Sequence, residues 1–180
     1  TEKMIQLVNM LLDVSRIEAG SLILRYDPVR LDILTETAVR SFAAYARAAN
    51  IVLEYAAPAR TLPIRGDSEK IKMVIQNLVD NAIRYSLSGG RVVITITPFS
   101  PTVVEWKIQD AGMGIPKEQQ RYIFQKFFRA EPSSSSQIRG WGLGLYVAES
   151  IITALKGEIG FESVEGRGSS FWFRLPVHRV

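Results

Sequence analysis

The sequence has no cysteine and only one histidine among its 180 residues. Without cysteine it can form no disulfide and offers no thiolate to a metal, which fits a reducing compartment such as the cytoplasm. The single histidine, His178, excludes a metal site built from several histidines. No run reaches the roughly 18 uninterrupted apolar residues of a membrane-spanning helix, and the N-terminus lacks a signal-peptide pattern. We therefore expect a soluble, cytoplasmic chain.

The sequence also lacks a strong excess of one charge. Its 22 basic and 18 acidic residues give a net charge of +4, and they are interspersed, so no basic run indicates a nucleic-acid partner. The composition, 47% hydrophobic and 22% charged, is typical of globular domains. We expect one globular unit that buries its own core.

Hydrophobic periodicity predicts the secondary structure. Helical spacing is found over residues 4–18, 32–49, 68–86 and 143–155, and Pro116 indicates a further helix over 116–128. Asp32 and Asp67 are expected to cap the second and third helices. Strand patterns cover residues 22–29, 51–55 and 62–65, followed by the hairpins 91–97 with 102–110 and 158–164 with 169–175. Because strands and helices are segregated, we predict an α+β fold of two layers, with a mixed, mostly antiparallel sheet covered by helices on one face.

Asp110 ends a strand whose alternation points Trp106, Ile108 and Asp110 towards the core. A carboxylate in that place needs a partner. Gly112 and Gly114 follow, and glycines let the backbone approach a planar group closely. The exocyclic amine of adenine would satisfy the carboxylate, but an Asx-turn at the end of a strand explains the pattern equally well.

Four polar residues form a stripe on the helix predicted over residues 68–86. Asn77, Asn81, Arg84 and Tyr85 lie at positions i, i+4, i+7 and i+8. Carboxamide oxygens suit Mg²⁺ that is shared with phosphates, and Arg84 adds a positive charge for phosphate oxygens. A stripe of this kind taken alone is more often a solvated helix face.

A glycine-rich turn, residues 140–145, opens the last helix. Glycines at a helix start expose backbone N–H groups that hold anions, although a flexible packing turn is the simpler interpretation. The turn matches neither the P-loop nor the dinucleotide motif. It follows Pro132 and the serines of residues 133–136, which predict a mobile loop over residues 131–139.

Together these motifs resemble, in order and spacing, the ATP-binding domains shared by gyrase, mismatch-repair ATPases and histidine kinases. The resemblance covers residues 21–176. The segments that carry it are similar to the N box (residues 77–85), the G1 box (110–116), the F box (123–129), the G2 box (140–145) and the final Gly-x-x-Phe segment (168–171) with the Leu-Pro pair at 175–176.

The resemblance implies a role for each matching residue. Asp110, helped by the hydroxyl residue Ser169, would recognise adenine, and Tyr85 would lie against the nucleotide. Mg²⁺ would be held by Asn77 and Asn81. The implied catalytic residues are Asn77, Asn81, Arg84 and Arg129, with Arg129 approaching the γ-phosphate. The remaining implied contacts to the nucleotide come from Gly112, Gly114 and Ile115, and from Gly140, Gly142, Leu143, Gly144 and Leu145 in the lid.

Residues 11–20 resemble the end of the second helix of the dimerisation domain of histidine kinases. Residues 1–20 are thus expected to be a truncated part of that domain, and residues 21–180 the ATP-binding catalytic domain. The phosphoacceptor histidine would belong to a helix absent from this chain. The implied partners are ATP, that helix, a response regulator and a second copy of the parent kinase, which a membrane anchor could hold.

The resemblance implies a two-layer α/β sandwich of the GHKL type and the function of a protein-histidine kinase domain that uses ATP and Mg²⁺. Two alternatives stay open. The first is a GHKL-type ATPase or serine kinase, although such relatives usually carry a glutamate as general base where Asn77 stands. The second is a non-catalytic nucleotide-binding scaffold.

Overall fold

The structure is a computed structural model that describes residues 2–58, 63–130 and 141–178. Within them the chain forms, in order, α1 (Glu2–Glu18), β1 (Asp27–Val29), α2 (Leu31–Ala48), β2 (Val52–Ala56), β3 (Ile64–Gly66), α3 (Ser68–Tyr85), β4 (Arg91–Ser100), β5 (Val103–Asp110), a short 3₁₀ turn (Gln120–Tyr122), α4 (Gly144–Ala154), β6 (Glu158–Val164) and β7 (Gly168–Pro176).

The main sheet has five strands in the order β2-β4-β5-β7-β6. β2 runs parallel to β4, and the other neighbours are antiparallel. The register places Asp110, the last residue of β5, opposite Ser169 near the start of β7. β1 and β3 form a separate antiparallel pair. The mixed, mostly antiparallel sheet predicted from the sequence is confirmed.

The helices cover one face of this sheet, which confirms the two-layer α+β expectation. α3 is central: it buries Ile71, Val74, Ile75, Leu78, Val79, Ala82 and Ile83. Each of the branched aliphatic side chains among them contributes roughly 1.5–3 kcal/mol to folding. On the sheet side the Trp106 ring stacks on Phe173 with 5.2 Å between centroids. Its indole N–H donates to the Thr35 hydroxyl at 2.9 Å, which ties α2 to β5.

Three local predictions are wrong. Residues 116–128 form turns and one 3₁₀ segment instead of a helix. The segment ends at Phe127, whose positive φ of 61° does not fit a helix and whose N–H donates to the Gly142 carbonyl. Asp32 does not cap α2. The N-cap is Arg30, whose guanidinium binds the Asp32 carboxylate inside the first turn. The strand predicted over residues 22–29 is reduced to β1.

The other boundaries agree with the sequence to within a few residues, and Asp67 caps α3 by accepting a hydrogen bond from the Lys70 N–H. None of the helices in the described part of the chain is both long and apolar enough to cross a membrane.

Candidate nucleotide-binding site

Asp110 lies at the inner end of β5 with 7% of its surface exposed. Its Oδ1 accepts two backbone hydrogen bonds, from Gly112 N at 2.9 Å and from Ser169 N at 3.2 Å. Both bonds end on the same oxygen, so Oδ2 accepts no hydrogen bond from the described residues. The carboxylate is thereby fixed through one oxygen, and the other remains available to a ligand donor.

Burial raises the pKa of the Asp110 carboxyl from 3.8 to about 6, against the two backbone N–H donors, which lower it. Desolvation disfavours the charged form, and the N–H groups favour it. A ligand that donates a further hydrogen bond to Oδ2 would stabilise the ionised carboxylate.

Glycines shape the loop that follows Asp110. A Cβ on Gly112 would stand 2.2 Å from the Tyr85 carbonyl oxygen, and one on Gly114 would stand 2.1 Å from the Val164 carbonyl oxygen. Gly114 also has a φ of +65°. Met113 N donates to the Tyr85 carbonyl at 3.2 Å. The loop therefore packs closely between the end of α3 and the end of β6.

Ser163 organises the other side of the pocket. Its hydroxyl accepts from Ile115 N at 2.8 Å and lies 2.9 Å from the Ser169 hydroxyl. The Gln120 side-chain amide donates to the Ile115 and Ser163 carbonyls, each at 3.0 Å. Ser169 thus reaches Asp110 through its backbone N–H, while its hydroxyl contacts Ser163. Sequence reasoning missed Ser163 and Gln120, because no motif or periodicity marks them.

Asn77 of α3 contacts the start of α4. Asn77 Nδ2 donates to the Gly144 carbonyl at 3.4 Å, and a Cβ on Gly144 would lie 3.5 Å from Asn77 Oδ1. Asn81, one turn further along α3, is half-buried. The structure therefore brings Asn77 of the polar stripe to the glycine-rich turn, a contact between residues 67 positions apart.

Arg84 on the same stripe forms an ion pair with Asp80, one turn earlier in α3. Its Nε is buried and has no hydrogen-bond partner. Asp80 was not among the predicted site residues, although the i, i+4 spacing of opposite charges could have revealed the pair. Asp80 thus holds the guanidinium against the helix.

Tyr85, the last residue of α3, is influenced by the charges of two arginines. Burial raises the pKa of the Tyr85 hydroxyl, and the positive charges of Arg84 and Arg129 act against that shift. Arg129 itself is exposed. The predicted approach of Arg129 to the γ-phosphate stays a prediction.

The start of α4 is an open helix N-terminus. Leu143 is the N-cap residue and no side chain caps the helix, so the orphan N–H groups of the first turn are available to an anion. Gly142 has a φ of +67°, and a Cβ there would clash with Phe127 and Phe128. Leu145 is half-buried. Gly140 and the loop predicted over residues 131–139 lie outside the described residues.

The candidate site thus has two parts joined by α3. One part, around Asp110 and the end of α3, is narrow and closed by backbone. The other, around Asn77 and the start of α4, offers carboxamide groups and helix N–H groups. No cluster of three or more His, Cys, Asp or Glu residues that could hold a metal occurs in the described ranges. A cation at the asparagines would therefore share its remaining coordination with ligand oxygens.

The chain is similar to known proteins over most of its length. Residues 66–179 match the family described as histidine kinase-, DNA gyrase B- and HSP90-like ATPases. The chain is 33% identical over 97% of its length to hybrid signal transduction histidine kinase K of Dictyostelium discoideum. It is 34% identical over 99% of its length to the sensor protein GacS of Pseudomonas syringae.

Among solved structures, the histidine kinase AdeS of Acinetobacter baumannii superposes with a TM-score of 0.77 at 28% identity, covering 99% of this chain and 80% of that one. The chain spans 15% of the length of the Dictyostelium protein and 20% of the length of GacS. The likeness therefore extends over one part of much longer proteins.

Proposed function

Because the chain belongs to the family of histidine kinase-, DNA gyrase B- and HSP90-like ATPases, we propose that it binds ATP with Mg²⁺ as the catalytic domain of a sensor histidine kinase. Residues 21–180 would form this domain, and residues 1–20 the end of a dimerisation helix. The γ-phosphoryl group would pass to a histidine on another part of the parent kinase and then to a response regulator.

The observation that carries the proposal is the environment of Asp110. A carboxylate held by two N–H donors through Oδ1, with Oδ2 available, matches a planar base that presents an amine. Adenine has such an amine at its edge, whereas guanine presents a carbonyl oxygen in the corresponding place. A buried carboxylate repels that oxygen, so the pocket favours ATP over GTP.

The phosphate end of the site fits Mg²⁺ bound together with a triphosphate. Asn77 donates through Nδ2 to Gly144, which leaves its Oδ1 available, and Asn81 follows one turn later. Both oxygens are neutral and hard, as Mg²⁺ prefers, and the cation supplies charge neutralisation for the transferred phosphoryl group. The open N-terminus of α4 would receive phosphate oxygens.

The residues support phosphoryl transfer more than hydrolysis. A hydrolase needs a base to activate water, and Asn77 carries a carboxamide that cannot accept a proton at neutral pH. The protein would position the nucleotide and place the positive charges of Arg84 and Arg129 near the phosphates.

Isothermal titration calorimetry with ATP and Mg²⁺ tests the proposal. Asp110→Asn replaces the acceptor Oδ2 by an N–H donor while Oδ1 can keep both backbone bonds. We expect affinity to fall by about 1.5–3 kcal/mol, the cost of losing a hydrogen bond to a charged group.

The matched control is Asp32→Asn, the same chemical change at a residue of α2 that pairs with Arg30. It should leave ATP affinity unchanged, and the unsubstituted chain should bind GTP more weakly than ATP. Equal ATP affinity of Asp110→Asn and the unsubstituted chain would remove Asp110 from the base pocket.

A further inference from the structure

The helix α1 is attached to the remainder of the chain through a buried acidic residue. Asp13 is 5% exposed, and its Oδ1 lies 2.6 Å from the Nζ of Lys70. The neighbouring Val14 is 6% exposed and belongs to the hydrophobic core. A charged residue on an amphipathic helix rarely becomes so buried unless it is paired, so this ion pair fixes which face of α1 is turned inwards.

Lys70 stands where three segments meet. It lies in the first turn of α3, and its backbone N–H donates to Asp67 Oδ1 at 3.1 Å. The other oxygen of Asp67 accepts from Arg25 N at 3.2 Å, in the segment that links α1 to the domain. Asn77 follows Lys70 by about two helical turns. The ion pair therefore fixes the position of α1 relative to α3, the helix that carries Asn77 and Asn81.

A second ion pair joins the last residue of α1 to the segment before Arg129. Glu18 pairs with Lys126, and the Lys126 ammonium lies 5.5 Å from the centre of the Tyr146 ring in α4. These side chains are more exposed than those of the first pair, and exposed pairs contribute little energy. The Asp13–Lys70 pair is therefore expected to dominate the seating of α1.

We propose that Asp13 and Lys70 are positioning residues for phosphoryl transfer. Their ion pair, assisted by Glu18 and Lys126, seats the end of the acceptor-domain helix on the catalytic domain in one orientation. The inference rests on the proposed function for its catalytic meaning, but the seating itself does not require a nucleotide. Holding the acceptor domain in one orientation keeps the acceptor histidine and the γ-phosphate aligned for transfer more of the time.

Distance measurement between two spin labels tests the seating. The chain contains no cysteine, so Ser15→Cys on α1 and Thr153→Cys on α4, both exposed positions, accept labels selectively. The otherwise unsubstituted chain should give a single narrow distance distribution. Lys70→Glu should lose it and give a broad one, because Asp13 then faces a like charge.

Two further variants make the result specific. The exchange Asp13→Lys with Lys70→Asp should restore the narrow distribution, which a general loss of folding would not allow. Lys72→Glu is the matched control, since Lys72 lies on α3 and pairs only with the exposed Glu69 at 3.9 Å. If Lys70→Glu gives the same distribution as Lys72→Glu, the ion pair does not seat α1 and the inference is wrong.

The catalytic role is tested in the parent kinase that supplies the acceptor histidine. Lys70→Glu should lower the rate of label transfer from ATP roughly 10- to 100-fold with an unchanged KM for ATP, and the charge exchange should recover it. An unchanged or higher rate in Lys70→Glu would overturn the positioning role. If no variant transfers label, including the unsubstituted protein, the proposed function fails, while the label distances still decide how α1 is seated.

Discussion

At the scale of single residues, Asp110 combines an energetic cost to the fold with its proposed role in recognising adenine. Burial removes water from its carboxylate, and the two backbone N–H groups that donate to Oδ1 compensate only partly for that loss. Groups whose pKa is shifted by burial concentrate at functional sites. A neutral or apolar residue would suit the ligand-free fold better, so the retained acid is best explained by a ligand that donates to Oδ2.

This argument predicts how stability changes with pH. Because the pKa of Asp110 is raised from 3.8 to about 6 in the folded chain, the folded state binds the proton more tightly than the unfolded state. This contribution stabilises the fold as pH falls from about 6 to about 4 and is lost as pH rises through about 6. Asp110→Asn should therefore stabilise the ligand-free chain at about pH 7.5, by at most about 3 kcal/mol.

Urea unfolding across about pH 4 to 8 measures the effect, and the gain of Asp110→Asn should vanish near pH 4. Asp32→Asn is again the control and should show the opposite sign, because the Arg30 guanidinium lowers the pKa of Asp32 in the folded chain. Parallel pH profiles for Asp110→Asn and the unsubstituted chain would contradict a raised pKa at Asp110.

At the scale of structural elements, the loop after β5 depends on close backbone contacts. It is held by Gly112 against the end of α3 and by Gly114 against Val164, and Gly166 N donates to the Met113 carbonyl at 2.7 Å. These contacts set the height of the loop over Asp110. The shape of the proposed base pocket therefore depends on how closely the loop after β5 approaches the turn between β6 and β7.

Two glycine substitutions separate this close approach from backbone strain. Gly114 and Gly166 both have positive φ angles, +65° and +75°, but a Cβ on Gly166 meets nothing within 4 Å. Gly166→Ala should destabilise the chain by about 1–2 kcal/mol through strain alone. Gly114→Ala should cost about 1–3 kcal/mol more through its clash with Val164, and should also weaken ATP binding.

Denaturant unfolding and calorimetry measure the two quantities. Equal stability losses in the two alanine variants would show that the contact with Val164 is unimportant. Unchanged ATP affinity in folded Gly114→Ala would separate the loop from the base pocket.

At the scale of the whole molecule, the proposed base-binding residues and the only histidine of the sequence lie at opposite ends of β7. Ser169, beside Asp110, is at its start, and His178 follows its end, with its N–H bonded to the Pro63 carbonyl at 2.8 Å. The strand rise of about 3.3 Å per residue separates them by roughly 30 Å. An adenine base bound at Asp110, as proposed, would therefore lie far from His178.

We accordingly expect this chain, incubated with γ-labelled ATP and Mg²⁺, to bind the nucleotide without labelling itself. Slow labelling should appear on a separately supplied dimerisation domain that carries a histidine, and Asp110→Asn should reduce it. Acid-labile label on the isolated chain that disappears in His178→Gln would contradict this expectation, as would steady ATP turnover at a rate typical of an ATPase.

Much of the fold and part of the site could be predicted from the sequence, because local periodicity reports which face of an element is buried. Alternation along β5 predicted that Asp110 points inwards, and helical spacing placed Asn77, Asn81, Arg84 and Tyr85 on one stripe of α3. The order of the boxes indicated the family. These properties depend on neighbours within a few residues, which is the range over which periodicity carries information.

Only the tertiary structure decided which groups meet. The Asp110 carboxylate is bound by Ser169 N, 59 residues away, and the Asp13 carboxylate meets Lys70 at a separation of 57 residues. The Phe127 N–H is bound by the Gly142 carbonyl, a contact that the helical pattern over residues 116–128 did not predict. Hydrogen bonds and ion pairs between distant segments depend on how the layers pack, and no spacing along the chain specifies that packing.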